Sequence, residues 1–559
     1  MRFRGESIEI PCANLLEMLE ATVERYPTHT AAYFMGNEMS YRELYTAVAQ
    51  VMSELSALGV KHGQRIALMM PNCPEYVIAY YAITGLGSVV VQISPMSTPT
   101  ELKYVLGDSG APIVIAYEPL LRTVFEVRAE IPMQTVIGVR FSASGERNRQ
   151  TSPQTSSGTD SPDIWLDEWT EAQMGESADQ SMGVRQTRTG SNDAQPAARP
   201  LLPDRHAIHL DDVAVLQYTG GTTGKPKGAM LTHRNLVANA VQSSRMIPGG
   251  ITVQDKMVCA LPFFHVYAMT VCMNLSVFTG MTMLIVPRFD AKEVMSLFEQ
   301  HHPTLFPGVP TMYVALSQAA KGHSDALASL RACNSGGAPL PEQVMVHFEN
   351  LTGAVVLEGY GLSEASPVTH TNPGADRRRP GSIGLPVANT EARIVDAVDG
   401  ETELGPNEEG ELLIKGPQVM KGYWQRPRET EQTLVDGWLH TGDIAKIDED
   451  GYAYIVDRKK DLIIASGYNV YPREVEEVLY KHPAVVEAAV VGADDHYRGE
   501  TVKAFVVVQK THQVTEEEIM NWCRKHLSAY KVPKQIEFRE DLPKSAVGKV
   551  LRRDLRTHK

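Results

Sequence analysis

Residues 218–228 read Tyr-Thr-Gly-Gly-Thr-Thr-Gly-Lys-Pro-Lys-Gly, with four glycines, three threonines and two lysines in eleven positions. Gly220, Gly221, Gly224 and Gly228 let the backbone turn freely and let a ligand approach closely. Consecutive backbone N–H groups in such a loop form an anion-binding nest. Thr219, Thr222 and Thr223 add hydroxyl donors, and Lys225 and Lys227 add positive charge. The ligand this chemistry suits is a polyphosphate. The Walker A pattern needs Gly five places before its Gly-Lys and Ser or Thr after it. Here Thr219 and Pro226 stand in those places. Pro226 also keeps the loop from running straight into a helix interior. A hydroxyl-rich loop, rather than a helix dipole, is therefore expected to hold the phosphates.

The same eleven residues resemble the phosphate loop of the adenylate-forming superfamily (acyl-CoA synthetases, luciferases and adenylation domains) and match its fixed positions throughout. Further stretches resemble that family's motifs in the family's order. In Leu261-Pro262-Phe263-Phe264-His265, a lone histidine among aromatics is ordinarily a core residue; the resemblance implies that His265 lies at the acyl pocket, gating or orienting. Gly308-Val309-Pro310-Thr311 resembles a wall of that pocket. Ser335-Gly336-Gly337-Ala338-Pro339-Leu340 is a tight turn that the resemblance places beside adenine and the acyl carboxylate. A flat base needs backbone with no Cβ in its way.

Tyr360-Gly361-Leu362-Ser363-Glu364 resembles the family's Tyr-Gly-x-Thr-Glu, with Ser363 for Thr. The resemblance implies that Tyr360 stacks on adenine, Ser363 reaches the α-phosphate and Glu364 offers a hard oxygen to Mg²⁺. Magnesium sites commonly use one or two carboxylates plus substrate phosphates. Trp438-Leu439-His440-Thr441-Gly442-Asp443 resembles the Thr-Gly-Asp whose Asp accepts from the ribose hydroxyls. Asp457-Arg458-Lys459-Lys460-Asp461 begins 14 residues after Asp443; by resemblance Arg458 contacts ribose and Lys460 is the hinge. Ser466-Gly467-Tyr468-Asn469-Val470-Tyr471-Pro472 resembles the loop that lines the pantetheine channel. Pro543-Lys544-Ser545-Ala546-Val547-Gly548-Lys549 places Lys549 where the family keeps its catalytic lysine.

The resemblance implies an ATP-dependent, AMP-forming fatty acid–CoA ligase for medium or long chains, using ATP, Mg²⁺ and coenzyme A. Thr222, Thr223, Lys227, Glu364 and Lys549 are the groups expected on the phosphates. Ala365-Ser366-Pro367-Val368-Thr369-His370 resembles the fatty acyl-CoA synthetases more than the aryl-acid ones. An acid adenylation enzyme loading a separate carrier protein, an aryl-CoA ligase and a noncatalytic acyl-AMP-binding protein stay open. A luciferase-like oxygenation fits the same motifs. Intact Lys549 and Glu364 count against a noncatalytic role, and with ten residues after Lys549 no fused carrier domain is expected.

A chain of 559 residues is too long for one core and suggests at least two domains. Apolar content of 43% and charge of 21% are ordinary for a soluble enzyme. The net charge of −14 argues against a nucleic-acid partner. Cys12, Cys73, Cys259, Cys272, Cys333 and Cys523 show no metal spacing and fit a reducing cytosol. Met-Arg-Phe-Arg-Gly-Glu-Ser has no apolar run after its charges and is not read as a signal peptide. Residues 257–286 lack Asp, Glu, Lys and Arg, but Pro262, His265, Asn274 and Gly280 interrupt them. A buried helix near Ala268–Phe278 and a buried strand near Met281–Val286 are expected there, not a membrane span. The expected location is cytoplasmic, with peripheral membrane contact and oligomerisation left open.

The elements that position these motifs follow an α/β pattern. Leu15, Leu19 and Val23 share one helical face, which Pro27 ends. Ser40 and Glu43 form a capping box before a helix carrying Leu44, Val48, Val51 and Leu55. Strands are expected at Arg65–Met69, Ser88–Gln92 and Pro112–Ala116, with helices between them, one ending near Gly85 and one opening at Thr98-Pro99. Such alternation implies parallel sheet with helices on its faces. Residues 142–204 are rich in Ser, Thr, Gly, Gln, Asp and Arg and read as a disordered insertion, in which only Ile164-Trp165-Leu166 and Trp169 can dock. Val213–Gln217 is the strand that delivers the phosphate loop. The predicted fold is a large multi-sheet α/β domain over 1–457 and a small mobile α+β cap over 458–559. The cap is expected to contain strands at Val486–Val491 and Val502–Val508 and helices near Pro472–Lys481 and Thr515–Leu527. It carries 19 Lys/Arg and 15 Asp/Glu, net +4, against −18 for the remainder. A basic cap over an acidic body suits a polyphosphate held between them.

Overall fold

The computed structural model describes residues 2–141, 161–170, 208–219, 225–459, 461–465, 468–495, 499–509, 514–545 and 550–556. Among these the strands form four sheets. One runs Lys227–Thr232, Val213–Thr219, Val89–Gln92, Arg65–Met69, Ile113–Tyr117, Thr135–Val139, Ile164–Trp165. It is parallel except for the antiparallel pair at its first edge. The expected alternation at 65–117 is present, with helices Pro74–Gly85 and Pro99–Ser109 between the strands. The short docked segment is present too: Ile164–Trp165 forms the last strand, and Leu166 and Trp169 are buried. The rest of 142–204 lies outside the described residues.

The largest sheet runs Leu385–Pro386, Val368–Thr371, Val355–Gly361, Ala332–Ser335, Leu305–Gly308, Lys256–Cys259, Thr282–Ile285, Thr30–Phe34, Asn37–Ser40. Its central strands are parallel. Helix Pro74–Gly85 lies in the core shared by these two sheets. Only Glu75 of its residues is not buried, which is why its apolar residues show no sidedness. Helix Tyr41–Ala57 starts on the Ser40–Glu43 capping box, with the Ser40 N–H donating to Glu43 Oε2 at 2.7 Å. The hairpin Thr30–Phe34/Asn37–Ser40 was not foreseen; its strands are short and carry few β-branched residues.

The uncharged stretch 257–286 folds inside this core. It supplies most of strand Lys256–Cys259, one continuous helix from Val266 to Thr279, and strand Thr282–Ile285. The helix is two residues longer at its start than expected, and residues Met269–Asn274 wind as a π-helix. No helix among the described residues is long and apolar enough to cross a membrane.

A third sheet links the chain's start to its middle: Phe3–Arg4, Glu391–Val395, Gly410–Lys415, Trp438–Ile447, Leu434–Val435, with Ala453–Arg458 also on Trp438–Ile447. The fourth contains Tyr468–Val470, Ile463–Ala465, Gly499–Val508, Val485–Asp495 and Gln535–Phe538. Helices Pro472–Tyr480 and Glu516–His526 pack on it. Val475, Leu479, Ile519 and Cys523 share its apolar core with Val490, Val502 and Val506. Both long strands extend beyond the expected ranges because their outer residues, such as Asp494 and Glu500, pair without being apolar.

Candidate active site

The loop at 218–228 joins two antiparallel strands, Val213–Thr219 and Lys227–Thr232, so no helix follows it. Thr219 and Lys227 are cross-strand partners, and Thr219 Oγ1 donates to the Lys227 carbonyl at 3.4 Å. Gly220, Gly221, Thr222, Thr223 and Gly224 lie outside the described residues, as do Lys460, Gly467 and Lys549. The helix Pro99–Ser109 braces both arms of the loop. Tyr104 donates to the Pro226 carbonyl at 2.9 Å, and Tyr218 donates to Asp108 Oδ2 at 2.8 Å. Lys225 Nζ stands 5.7 Å from the centre of the Tyr104 ring. Gly228 lies opposite Tyr218, where a Cβ would come within 3.2 Å of the ring.

The strand Val355–Gly361 and the turn Ser363–Ala365 place Tyr360, Ser363 and Glu364 in sequence. A Cβ at Gly361 would run into the Pro367 carbonyl, so a side chain there would break the hairpin with Val368–Thr371. At the Tyr360 end, the phenol donates to Asp443 Oδ2 at 2.5 Å. Burial and the adjacent Asp443 carboxylate push that phenol far above its ordinary value, so it stays neutral. Asp443 and Arg458 are partners across strands Trp438–Ile447 and Ala453–Arg458, with Nε 3.6 Å from Oδ1. His370 pairs with Tyr360 across its own hairpin and is fully buried. Burial holds its imidazole down to about 3, so it too is neutral.

At the Glu364 end, Tyr423 donates to Oε1 at 2.7 Å. Lys227 Nζ lies 4.4 Å from the centre of the Tyr423 ring. Lys227, Tyr423 and Glu364 are thus brought together from three distant stretches. Tyr423, Asp108 and Tyr104 were not singled out in the sequence. The signal for Tyr423 was faint: Lys421-Gly422-Tyr423-Trp424 has no periodicity, only a glycine before two aromatics.

His265 caps the helix beginning at Val266, its Nδ1 accepting from the Tyr267 N–H at 3.3 Å. Asn72, itself buried, holds the preceding turn by donating to the Cys259 and Leu261 carbonyls and accepting from the Phe263 N–H. Tyr267 crosses to the glycine turn, donating to Asn334 Oδ1 at 2.6 Å. A Cβ at Gly336 would meet the Tyr267 ring at 3.1 Å, tighter than an ordinary contact. Gly337 has φ +78°, in the left-handed region, and Ala338 completes the turn. The Gly336 N–H donates to the Gly308 carbonyl, which joins the 308–311 segment to the same corner. Behind that corner is a small apolar cavity lined by Met246, Ile247, Met257, Val271, Leu275 and Leu305, with Asn334 and Pro307 also on its wall.

Glu358 sits under the glycine turn, accepting from the Leu340 N–H at 3.3 Å. Burial pushes its carboxyl up to about 7, against opposing pulls from Arg473 and that N–H. Its value in the folded chain is above its ordinary 4.5. Its contribution to stability is therefore full below the ordinary value and is lost as pH rises through about 7. The parent protein is expected to lose up to about 3 kcal/mol from this source between pH 5 and about 8.5. Glu358→Gln should flatten that part of the Tm-against-pH curve, followed by near-ultraviolet circular dichroism. An unchanged curve would mean that Glu358 titrates normally.

A model of the AMP-binding enzyme family matches residues 19–424, and one of the AMP-binding enzyme C-terminal domain matches 474–549. The chain belongs to the AMP-binding enzyme family. A long-chain-fatty-acid–CoA ligase of Bacillus subtilis is 41% identical over 98% of this chain and 95% of its own length. A ligase of the same name from Salmonella typhimurium is 40% identical over 97% and 94%. Among solved structures, ATP-bound MatB from Rhodopseudomonas palustris superposes with a TM-score of 0.83, at 29% identity over 98% of both chains.

Proposed function

We infer that the protein is an ATP-dependent, AMP-forming fatty acid–CoA ligase acting on medium or long chains. The observation that carries this reading is the run Tyr360–Glu364. It joins the Asp443–Arg458 pair at one end to the Lys227–Tyr423 pair at the other. One end offers an aromatic ring and a carboxylate, as a nucleoside needs. The other offers a cation and a carboxylate beside a glycine- and threonine-rich loop, as a triphosphate needs.

In the first step a carboxylate oxygen of the fatty acid attacks the α-phosphorus of ATP, and pyrophosphate leaves. In the second the CoA thiol attacks the carbonyl carbon of the acyl adenylate, and AMP leaves. Tyr360 stacks on adenine, the Gly336-Gly337-Ala338 turn bounds it, and Asp443 with Arg458 holds the ribose. Thr219, Gly220, Gly221, Thr222, Thr223, Gly224 and Lys227 bind the phosphates, Ser363 the α-phosphate, and Lys549 the phosphoryl oxygens as charge builds. Such catalysis is positioning and electrostatics. A partly buried carboxylate near Lys227, at the end of the phosphate-loop sequence, suits Mg²⁺, which Glu364 would hold and which would supply positive charge to the phosphates. His265 orients the start of the helix that flanks the acyl pocket, and Gly467 lines the thiol's approach. Residues 1–457 form the body and 458–559 the cap, which turns about Lys460 between the two steps.

The apolar cavity behind the glycine turn, about 20 Å³ in volume, is much smaller than an acyl chain and marks only an apolar wall that an acyl tail would have to open. Val271→Phe, which fills it from the π-helical stretch, is expected to lower kcat/KM for palmitate at least about tenfold and to leave octanoate within about threefold. Equal loss on both acids would separate the cavity from chain length.

The reading is tested by incubating the protein with ATP, Mg²⁺ and palmitate, octanoate or benzoate, with and without CoA. Palmitate or octanoate should give acyl-CoA, AMP and pyrophosphate in equal amounts, and benzoate little. Preference for benzoate would favour an aryl-CoA ligase. Adenylate formation with no thioester to CoA would favour loading of a carrier protein.

A further inference from the structure

Tyr423 touches both charged side chains at the phosphate end of the site. Its backbone is fixed by strand-like addition to Lys227–Thr232. Gly422 accepts from the Met230 N–H and Trp424 donates to the Gly228 carbonyl, each at 2.8 Å. Ala229 and Tyr423 form the antiparallel bridge between these bonds. The Tyr423 N–H donates to Thr430 Oγ1 at 2.9 Å. Gly422 has φ +146°, and a Cβ there would meet Thr430 at 2.7 Å, so this approach of the chain requires glycine. The result is a tyrosine only 6% exposed whose ring and hydroxyl have little freedom.

Each end of that side chain meets a different partner. The hydroxyl donates to Glu364 Oε1, and the ring face lies against the Lys227 ammonium. Glu364 is held from its other side by its backbone, whose carbonyl accepts from the Met420 N–H at 2.8 Å. The segment 420–423 thus fixes both the main chain and the carboxylate of Glu364. A carboxylate has about four acceptor directions, and one hydrogen-bond donor leaves the others available while setting the plane of the group. A cation on a ring face is likewise directed without being neutralised.

We propose that Tyr423 is a positioning residue for the metal–triphosphate half of the site, orienting the Glu364 carboxylate through its hydroxyl and the Lys227 ammonium through its ring. The proposal rests on the assignment of Glu364 to Mg²⁺ made above. Neither the metal nor ATP touches Tyr423 in this scheme; the residue acts through its two neighbours. Tyr423→Phe keeps the ring under Lys227 and removes only the hydrogen bond to Glu364.

The test is calorimetric titration with ATP, in the absence of acid and CoA, once with excess Mg²⁺ and once with EDTA. Tyr423→Phe is expected to weaken binding about tenfold with Mg²⁺ and to leave binding in EDTA within about twofold. Glu364→Gln should show the same pattern, and the double variant should be no weaker than Glu364→Gln by more than about twofold. Equal weakening of Tyr423→Phe in both titrations would make the residue scaffold and overturn the proposal. Additive losses in the double variant would overturn it as well, since Tyr423 would then not act through Glu364. If Glu364→Gln weakens the Mg²⁺ titration and Tyr423→Phe does not, the proposal fails while the metal assignment stands. If Glu364→Gln changes neither titration, the metal assignment fails and takes the proposal with it.

Discussion

Lys549→Ala is expected to slow adenylation by about two to three orders of magnitude and to leave thioester formation from supplied acyl-AMP within about threefold of the parent rate. One well-placed donor contributes about this much when charge develops in a water-poor site. Lysine at this position adds a full positive charge, and the pentacoordinate phosphorus carries more negative charge on its oxygens than ATP does in the ground state. An interaction stronger in the transition state lowers the barrier instead of merely tightening binding. The second step attacks carbon and expels AMP, so it has no such need of Lys549. The flanking chain is anchored whether or not that lysine is present. Lys544 and Val550 pair as an antiparallel bridge, and Arg552 is tied to Glu476 at 2.6 Å and to Asp457 at 3.2 Å. The two half-reactions are followed separately, by pyrophosphate release and by acyl-CoA from synthetic acyl-AMP. Equal loss in both would assign Lys549 a structural role.

Lys460→Pro is expected to retain pyrophosphate release and to lose at least about 90% of acyl-CoA formation, with acyl-AMP left on the protein. Lys549 and Gly467 are 82 residues apart and are assigned to different steps at one small reacting centre. In the proposed scheme rotation of the cap between the steps would bring each to that centre in turn. A pivot must change φ and ψ, and proline fixes φ near −65° while restricting the residue before it. The residues on either side are well held. Lys459 reaches Glu411 Oε2 at 3.0 Å and its N–H donates to the Gly442 carbonyl, whereas Asp461 faces Arg552 and Arg556. In the proposed division Glu411 and Gly442 lie in the body and Arg552 and Arg556 in the cap, so a pivot at Lys460 would fall between these two sets of contacts. Thioester formation from supplied acyl-AMP at near the parent rate would show that the pivot is elsewhere.

Much of the candidate site could be named from the sequence because its proposed chemistry is local. The loop 218–228, the glycine turn at 335–340 and the run 360–364 each place their functional groups within a few residues. Asp443 and Arg458 were legible as a pair, but not as cross-strand partners, since register depends on the bulge between Ile444 and Ala445. Tyr423 was not legible. Its contact with Glu364 spans 59 residues and arises from a strand-like addition with no alternating pattern. Asp108 escaped for a related reason: an acidic residue near a helix end is ordinarily solvated, and its partners Tyr218 and Arg426 are 110 and 318 residues away. The strand Lys227–Thr232 was missed because its first residues were already read as loop. In the fold, apolar runs such as Arg65–Met69 announced themselves, whereas the hairpin at 30–40 depends on pairing with Thr282–Ile285. The π winding of Met269–Asn274 leaves no trace in residue type, because every residue there is buried.

The most direct measurement of acyl-adenylate chemistry in this protein is exchange of labelled pyrophosphate into ATP with palmitate present and CoA absent. A reversible first step that needs only acid, ATP and Mg²⁺ predicts exchange that depends on palmitate and not on CoA. Exchange that requires CoA, or none with any fatty acid while acyl-CoA still forms, would contradict an adenylate made before the thiol arrives.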